Sequence, residues 1–487
     1  MAAAHFPEHM RKMHPATDPR RLEVVTWMTV ALSYAATGMV DEEPDRDTVL
    51  IEFESWAPER RGGRMEWSNW SGSVNARPQA ITAPRDEGEL RAAILSADQV
   101  RVRGAGHSFM PLCATDGTLL DMSDYRATVE IAPDRRSVWA PAGWSLARLT
   151  EALWAEGLSL INQGDINPQS LAGATATGTH GTGAELGSLS TQVIGCELML
   201  ADGSLIQCDE ATHPDLYQAQ RLSLGMFGVA TRIRINVLPA YYLEERIESR
   251  PLGEVAERWQ ELGNATRHFE FFVFPYADRV IFKTLHPVEG PGDPHRGTDI
   301  DERPFRIACE IARAMPFAIP SLQRLMMRLS GKSTRRVGPA WRIFPADRTI
   351  RFEEMEYELP RADGMPTLLE AIGYIRRKRL PVAFPFEFRL VAGDDIWMSP
   401  FNRGAGASVS FHQYARMPWR SLFAEIEPVL RGAGGRPHWA KRHTLRAEDV
   451  HALYPRTGDF LKMRAEADPA GKFVNADLAR LFCIARG

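Results

Sequence analysis

Residues 173–183 have the sequence GATATGTHGTG, in which four glycines and four threonines accompany His180. Small residues of this kind let the backbone lie flat against a planar ring. Their N–H and hydroxyl groups can then bind the heteroatoms and phosphates of a ligand. Hydrophobic stretches flank the segment and it lacks the Ser/Gly repetition of a flexible linker. We therefore interpret it as part of a binding site.

A second glycine segment lies upstream, at residues 102–109, with the sequence VRGAGHSF. A short predicted strand runs into Gly104 and Gly106, where exposed backbone N–H groups can cradle a pyrophosphate. The spacing matches neither the Rossmann nor the Walker glycine pattern. His107 follows the glycines directly; alone, such a histidine is typical of a polar surface residue.

The wider pattern indicates an α+β protein with more than one domain, since 487 residues exceed one compact core. Helices are expected at residues 144–157 and, as one long element, at 308–329. The predicted domains are an N-terminal extension (1–65), a first domain (66–240), a second, sheet-based domain (241–430) and a C-terminal segment (431–487) that returns to the first.

Composition narrows the function classes. Hydrophobic residues make up 44% and charged residues 25%, with a net charge of -4, which predicts no nucleic-acid partner and no stable membrane span. Five scattered cysteines without a C-x-x-C pair argue against a zinc or other metal site and favour a reducing, cytoplasmic location. The alternative is export through a twin-arginine signal, because Arg20 and Arg21 precede a mostly apolar run at 24–40.

Two charged residues stand out in the second domain. Glu387 and Arg389 are two positions apart on a predicted strand that is otherwise apolar, so both face the same side. Paired charges on such a strand are costly to bury. They predict either a substrate site or a structural ion pair.

Taken together, several segments resemble the vanillyl-alcohol-oxidase flavoprotein superfamily. RGAGHSF, GDINPQSLAGATATGTHGTG and LGMFGVATRIRI follow one another in the family's order. FEFRLVAGDDIWMSP, RPHWAKRH and DPAGKFVNADL are similar to its aldonolactone oxidase and alditol oxidase branch. The resemblance runs from about residue 67 to 481. It implies an α+β fold with a two-subdomain FAD-binding domain and a sheet-based substrate (cap) domain.

The resemblance also implies where FAD binds. His107 matches the position that commonly carries a covalent bond to the flavin 8α-methyl group, and a covalent link cannot dissociate. The cofactor-binding residues expected from the two glycine segments and their surroundings are Arg103, Gly104, Ala105, Gly106, His107, Ser108, Gly164, Gly173, Thr177, Gly178, His180, Gly181, Thr182, Gly183, Gly228, Val229, His438 and Asn475.

Catalytic roles follow by the same resemblance. Glu387 is expected to hydrogen-bond substrate hydroxyls, Arg389 to stabilise the negative charge of the reduced flavin, and Lys441 in HWAK to lie over the flavin. Ser410 and His412 fall where relatives place polar substrate contacts. An alcohol hydride would pass to flavin N5, while Lys441, His412 or Glu387 takes the proton.

The substrate is expected to be a sugar-derived alcohol or lactone, of the aldono-1,4-lactone type, with oxygen or another compound as electron acceptor. An alditol oxidase is the alternative, which Ala174 disfavours because alditol-oxidising relatives are expected to carry Ser there. A non-catalytic electron carrier is the alternative from another class. It needs no polar substrate pocket, so convergence of Glu387, Arg389 and Lys441 on one cavity separates the two.

The covalent link is directly testable. We expect the purified protein to be yellow and to retain its flavin in the pellet after precipitation with trichloroacetic acid, whereas His107→Ala releases the flavin into the supernatant. Release of all the flavin from the unaltered protein would exclude a covalent bond at His107.

Overall fold

A computed structural model describes residues 60–61, 64–291, 302–329, 333–346 and 348–485. The larger of two compact units comprises Pro58–Ile300 and Ala308–Gly487. Arg20, Arg21 and the apolar run at 24–40 lie outside the described residues. Within the described ranges, no helix is long and apolar enough to cross a membrane.

A three-stranded parallel sheet carries the first glycine segment. Val100–Arg103 pairs with Thr118–Asp121, which pairs with Ala80–Thr82 on its other side. The helix Glu87–Ser96 begins at Asp86, whose carboxylate accepts from the Glu89 N–H and so caps the first turn. The chain leaves the strand at Gly104, which places residues 104–108 at the carboxyl end of the sheet.

An antiparallel sheet forms the second part of the N-terminal half. Its strand Val229–Pro239 alternates buried and half-buried residues and pairs with both Val193–Met199 and Ser137–Pro141. Val193–Met199 and Leu205–Asp209 form a hairpin, with Gly203 in the left-handed region of its turn. The amphipathic helix predicted over 144–157 spans Leu146–Ala155, and its apolar face packs into the core of this sheet.

An eight-stranded antiparallel sheet, here called the large sheet, dominates the second half. Its strand order is Thr334–Pro339, Tyr242–Pro251, Arg279–Val288, His268–Val273, Phe386–Val391, Gly406–Tyr414, Phe352–Pro360 and Arg436–Pro437.

Both faces of the central strands of the large sheet are buried. Phe388 stacks on Phe271 with ring centroids 5.1 Å apart, while Glu387 and Arg389 point to the opposite face. The last strand, Arg436–Pro437, shows that the chain leaves this sheet only after the predicted boundary at residue 430.

The helices of the described chain are Glu87–Ser96, Leu146–Ala155, Leu171–Thr177, Pro214–Gln220, Leu252–Asn264, Arg303–Ala314, Ile319–Leu329, Ala340–Ile343, Arg361–Lys378, Trp419–Gly432, Ala447–Leu453, Thr457–Ala467 and Ala476–Phe482. The single helix expected at 308–329 is wrong. A proline cannot donate to the helical ladder, and Pro316 begins a short 3-10 turn between two separate helices.

The C-terminal segment packs against the first glycine segment. The Phe109 N–H donates to the Ala440 carbonyl over 2.7 Å. The Asn475 side-chain amide donates to the carbonyls of Pro111 and Ala114 over 2.8 and 2.9 Å, and its oxygen caps the helix Ala476–Phe482. These bonds join chain segments more than 300 residues apart.

Asn475→Ala should therefore destabilise the fold by about 3 kcal/mol, because it removes a helix cap and leaves buried carbonyls unpaired. Thermal unfolding of the FAD-loaded protein measures the effect. The exposed Asn75→Ala serves as the control and should unfold like the unaltered protein. Equal stability of the two variants would contradict the structural role of Asn475.

Candidate active site

Two cavities adjoin in the molecule. One, of about 970 Å³, follows the first glycine segment and is here called the groove. The other, of about 780 Å³, lies beside the charged face of the large sheet and is here called the inner cavity. His107 and Gln169 line both. A ligand with a long phosphate-bearing part and a flat reactive ring can occupy such a pair of cavities.

The groove fits FAD in its donors and its shape. Within the described chain, the backbone N–H groups of residues 105–108 have no protein acceptor, which leaves them available to a pyrophosphate. A side chain on Gly104 would place its Cβ 2.5 Å from Ser170 Oγ, so only glycine allows this close approach. At the junction of the cavities, Gln169 Oε1 is buried without a partner among the described residues. It can accept a hydrogen bond from a flavin ring.

His107 lies where the cavities meet. Its ring stacks on Trp70 with centroids 5.4 Å apart. Burial, and then the positive charge of Lys441, lowers the pKa of His107 to about 4. The imidazole is therefore neutral at pH 7, which is the form that can bond to carbon. Covalent attachment of FAD at His107 stays a prediction that this environment supports.

The charged residues predicted from sequence converge on the inner cavity. Glu387, Arg389 and Lys441 line it together with His412 and His438. Glu387 and Arg389 face the same side of their strand, as the alternation predicted, with Arg389 Nε 3.5 Å from Glu387 Oε1. This convergence favours a substrate pocket, because a non-catalytic electron carrier needs no polar substrate pocket.

Arg389 has an anionic partner that sequence reasoning missed. Its terminal nitrogen donates to Glu356 Oε2 over 2.9 Å, and the Ser410 hydroxyl donates to the same oxygen over 2.6 Å. Burial opposes ionisation, yet Arg389 and His180 hold the pKa of Glu356 well below its usual range. Arg389 therefore pairs with Glu356, two strands away in the large sheet, in addition to Glu387 on its own strand.

A second carboxylate organises Lys441. Glu354 forms an ion pair with the Lys441 ammonium, and its other oxygen lies 3.4 Å from His412 Nε2. The other ring nitrogen of His412, Nδ1, lies 2.9 Å from the Pro385 carbonyl, which can only accept a hydrogen bond. Nδ1 therefore carries a proton, and in the neutral ring Nε2 does not.

Two further histidines differ in charge. His180 Nδ1 faces the Gly181 carbonyl and Nε2 faces Glu356 Oε1, each over 2.9 Å. Burial would lower the pKa of His180, but Glu358 and Glu356 raise it to about 9, so the ring is positive. His438 accepts the Ala440 N–H at Nδ1, and burial lowers its pKa to about 3, so it is neutral.

The predicted residues divide by position. Those on the groove are Arg103, Gly104, Ala105, Gly106, His107, Ser108, Gly173, Thr177 and Gly228, and those on the inner cavity are His107, Gly164, His180, Glu387, Arg389, His412, His438 and Lys441. The others, which line neither cavity, are Gly178, Gly181, Thr182, Gly183, Val229, Ser410 and Asn475.

The residues off the cavities are engaged in the fold. Ser410 is fully buried against Glu356, and Asn475 is bound to backbone carbonyls. Gly181 sits where a Cβ would lie 2.2 Å from the Gln163 carbonyl, and the Gly183 N–H donates to the Leu390 carbonyl over 2.7 Å. The Gly183 bond holds the second glycine segment against the large sheet.

Several cavity residues were absent from the sequence-based set. Asp165 and Gln169 both lie in the quoted GDINPQ segment, residues 164–169. The strand Phe352–Pro360 carries four glutamates in nine residues, which is unusual for a strand with a buried pattern. That density of carboxylates was the available signal for Glu354 and Glu356.

The cavities and the fold define an FAD-dependent oxidoreductase of the vanillyl-alcohol-oxidase type. The FAD binding domain family model matches residues 78–209, and the D-arabinono-1,4-lactone oxidase family model matches residues 233–481. The chain belongs to the D-arabinono-1,4-lactone oxidase family. The expected resemblance and FAD as cofactor are thereby confirmed.

Individual relatives agree with this assignment. The chain is 36% identical to an L-gulono-1,4-lactone dehydrogenase from Mycobacterium tuberculosis, over 84% of this chain and 97% of the relative. It is 29% identical to an alditol oxidase from a Streptomyces species, over 85% and 98%. A cholesterol oxidase structure from Brevibacterium sterolicum shares the fold, with a TM-score of 0.73 at 17% identity over 86% of this chain and 97% of that one.

Arg389 is expected to act in flavin reduction. Arg389→Ala should slow anaerobic bleaching of the oxidised flavin by substrate about 100-fold, which corresponds to roughly 3 kcal/mol of lost transition-state stabilisation. Arg389→Lys should recover only part of the rate, since an ammonium lacks the planar fork. Stopped-flow absorbance measures both, with the exposed Arg258→Ala as control. A wild-type rate for Arg389→Ala would leave Arg389 as the ion-pair partner of Glu356 alone.

Proposed function

We propose that the protein oxidises a CH–OH group of an aldono-1,4-lactone in the inner cavity. The convergence of Glu387, Arg389 and Lys441 beside His107 carries this proposal. Bound FAD supplies a hydride acceptor at flavin N5. The polar residues of the cavity can orient a hydroxylated ring by hydrogen bonds, while Trp70, Phe109 and Phe352 supply apolar walls.

Two cations of the inner cavity, each held by a carboxylate, have a defined role in this proposal. Arg389 and Lys441 give the cavity positive potential where negative charge develops during hydride transfer. Each is held by a carboxylate on the strand Phe352–Pro360, so its position is fixed before substrate arrives. Pre-positioned charge costs no reorganisation during the reaction.

His412 is the residue that we assign as acceptor of the alcohol proton. Lys441 is already protonated in its ion pair with Glu354. Because Nδ1 of His412 donates to Pro385, Nε2 is the nitrogen that would take the alcohol proton, and Glu354 Oε1, 3.4 Å away, would balance the charge that results. Of the three candidates from sequence, His412 therefore offers a ring nitrogen with a counter-ion beside it.

The lactone is favoured over an alditol by the relatives, since the lactone dehydrogenase is the more similar of the two. Ala174 no longer bears on this choice. Its side chain is fully buried in the core with Leu171 and lines neither cavity, so a Ser there would not meet substrate. The relatives include both a dehydrogenase and an oxidase, so oxygen and another electron acceptor are the two candidates.

An anaerobic screen tests the function. Aldono-1,4-lactones should bleach the oxidised flavin band faster than alditols of the same carbon number. Re-oxidation of the reduced protein by oxygen, compared with an artificial acceptor, then identifies the acceptor class. Bleaching by alditols alone would replace the lactone proposal, and a flavin that no sugar derivative reduces would favour the electron carrier.

A further inference from the structure

Three carboxylates from separate segments meet at the inner cavity. One carboxylate oxygen from each of Asp165, Glu270 and Glu387 lies within 4.8 Å of the other two. Glu270 is only 1% exposed and Glu387 5%, while Asp165 is half-buried and lines the cavity beside Glu387. The Asp165 carbonyl accepts the Ala346 N–H over 2.9 Å, which fixes its loop.

The nearby cations do not neutralise all three carboxylates. Lys283 Nζ lies 2.8 Å from Glu270 Oε1, so Glu270 has its own counter-ion. Arg389 directs a terminal nitrogen to Glu356, and its Nε approaches Glu387 Oε1 only to 3.5 Å. That Glu387 oxygen is buried and has no hydrogen-bond partner among the described residues. Asp165 and Glu387 are therefore neighbouring acids that share nearby cations, Arg389 with Glu356, and Lys283 with Glu270.

Two carboxylates this close in a buried site do not both ionise, because their repulsion is poorly screened. Burial, and then Asp165 and Glu270, raises the pKa of Glu387 well above its usual range against the pull of Arg389. Burial opposes ionisation of Asp165 too, but Lys283, Arg389 and Arg348 hold its pKa below the usual value. The proton therefore resides on Glu387.

We propose that Asp165 is a positioning residue whose carboxylate keeps a proton on Glu387, so that Glu387 meets the substrate as a neutral acid that donates a hydrogen bond. The identity of the substrate in this inference rests on the proposed function, whereas the protonation of Glu387 does not. A neutral Glu387 also leaves Glu356 as the ionised partner of Arg389. Asp165 thereby acts through Glu387 without touching the reacting atoms.

Groups on every element packed against Glu387 influence its charge state. They are Arg389 on its own strand, Glu270 and Lys283 on the strands to one side, Ser410 and His412 on the neighbouring strand, Glu354 and Glu356 one strand further, and Asp165 with Arg348 from the loops. Because Asp165 is the acid of this set that lies in a loop outside the large sheet, it can be changed without altering a residue of the paired strands.

Infrared spectroscopy of the resting FAD-loaded protein tests the proton directly and needs no substrate. The C=O band of a buried protonated carboxyl should be present at pH 7, shift in D₂O and lose one component in Glu387→Gln. Glu358, whose pKa is raised to about 7 chiefly by burial, contributes another component that Glu358→Gln identifies. In Asp165→Asn the pH at which the Glu387 component disappears should fall by about one unit or more.

The pH profile of anaerobic flavin reduction supplies the second readout. Deprotonation of Glu387 should define its alkaline limb, so Asp165→Asn moves that limb to lower pH by the same amount. Asp165→Glu should return the limb toward its original position, and the exposed Asp124→Asn should leave it unchanged. Thermal unfolding and flavin content check that each variant is folded and loaded.

The outcomes separate this inference from the proposed function. A Glu387 carboxyl band that responds to Asp165→Asn supports the inference even if no lactone is oxidised. Absence of that band in the unaltered protein, or an infrared titration that Asp165→Asn does not move, overturns it even if lactones are good substrates. Loss of activity on treatment with a chelator also overturns it, since the three carboxylates would then hold a cation and not a shared proton.

Discussion

The buried contact between Arg389 and Glu356 constrains the whole second half of the chain. An arginine and a carboxylate lose several kcal/mol of hydration each when buried, and only close pairing offsets that loss. The pair joins strands Phe386–Val391 and Phe352–Pro360, which flank Gly406–Tyr414 in the large sheet. The strands must therefore be in register for the charges to meet. His180 and Ser410 also form hydrogen bonds with Glu356, so the second glycine segment is joined to this ion pair.

These contacts to Glu356 connect the glycine segment expected to bind the cofactor with the residues expected to bind the substrate. The segment that contains His180 also donates from Gly183 to the large sheet, and His268 on that sheet contacts the Thr182 carbonyl over 2.8 Å. The segment whose Gly173 and Thr177 line the groove is thus bonded to the sheet that carries the charged side of the inner cavity.

The inner cavity concentrates charge that the rest of the core avoids. One face of its strands carries Glu387 and Arg389, while the other carries Phe386 and Phe388 in an aromatic core. Strand alternation allows this division, because successive side chains point to opposite sides. The apolar face supplies stability, and it allows the polar face to keep groups whose pairing is incomplete, such as Glu387 Oε1.

Local patterns in the sequence predicted a glycine segment that lines the groove and a strand that carries charge on one face. His107 follows its glycines by chain order alone, and alternation alone puts Glu387 and Arg389 on one face. Local patterns also erred where a proline interrupted an apolar run, at Pro316. Tertiary structure decided the partners: Glu356 for Arg389, Glu354 for Lys441, and Asp165 beside Glu387. Such contacts join residues 33 to 222 positions apart in the chain, and no local periodicity encodes which distant strand or loop will lie next to another.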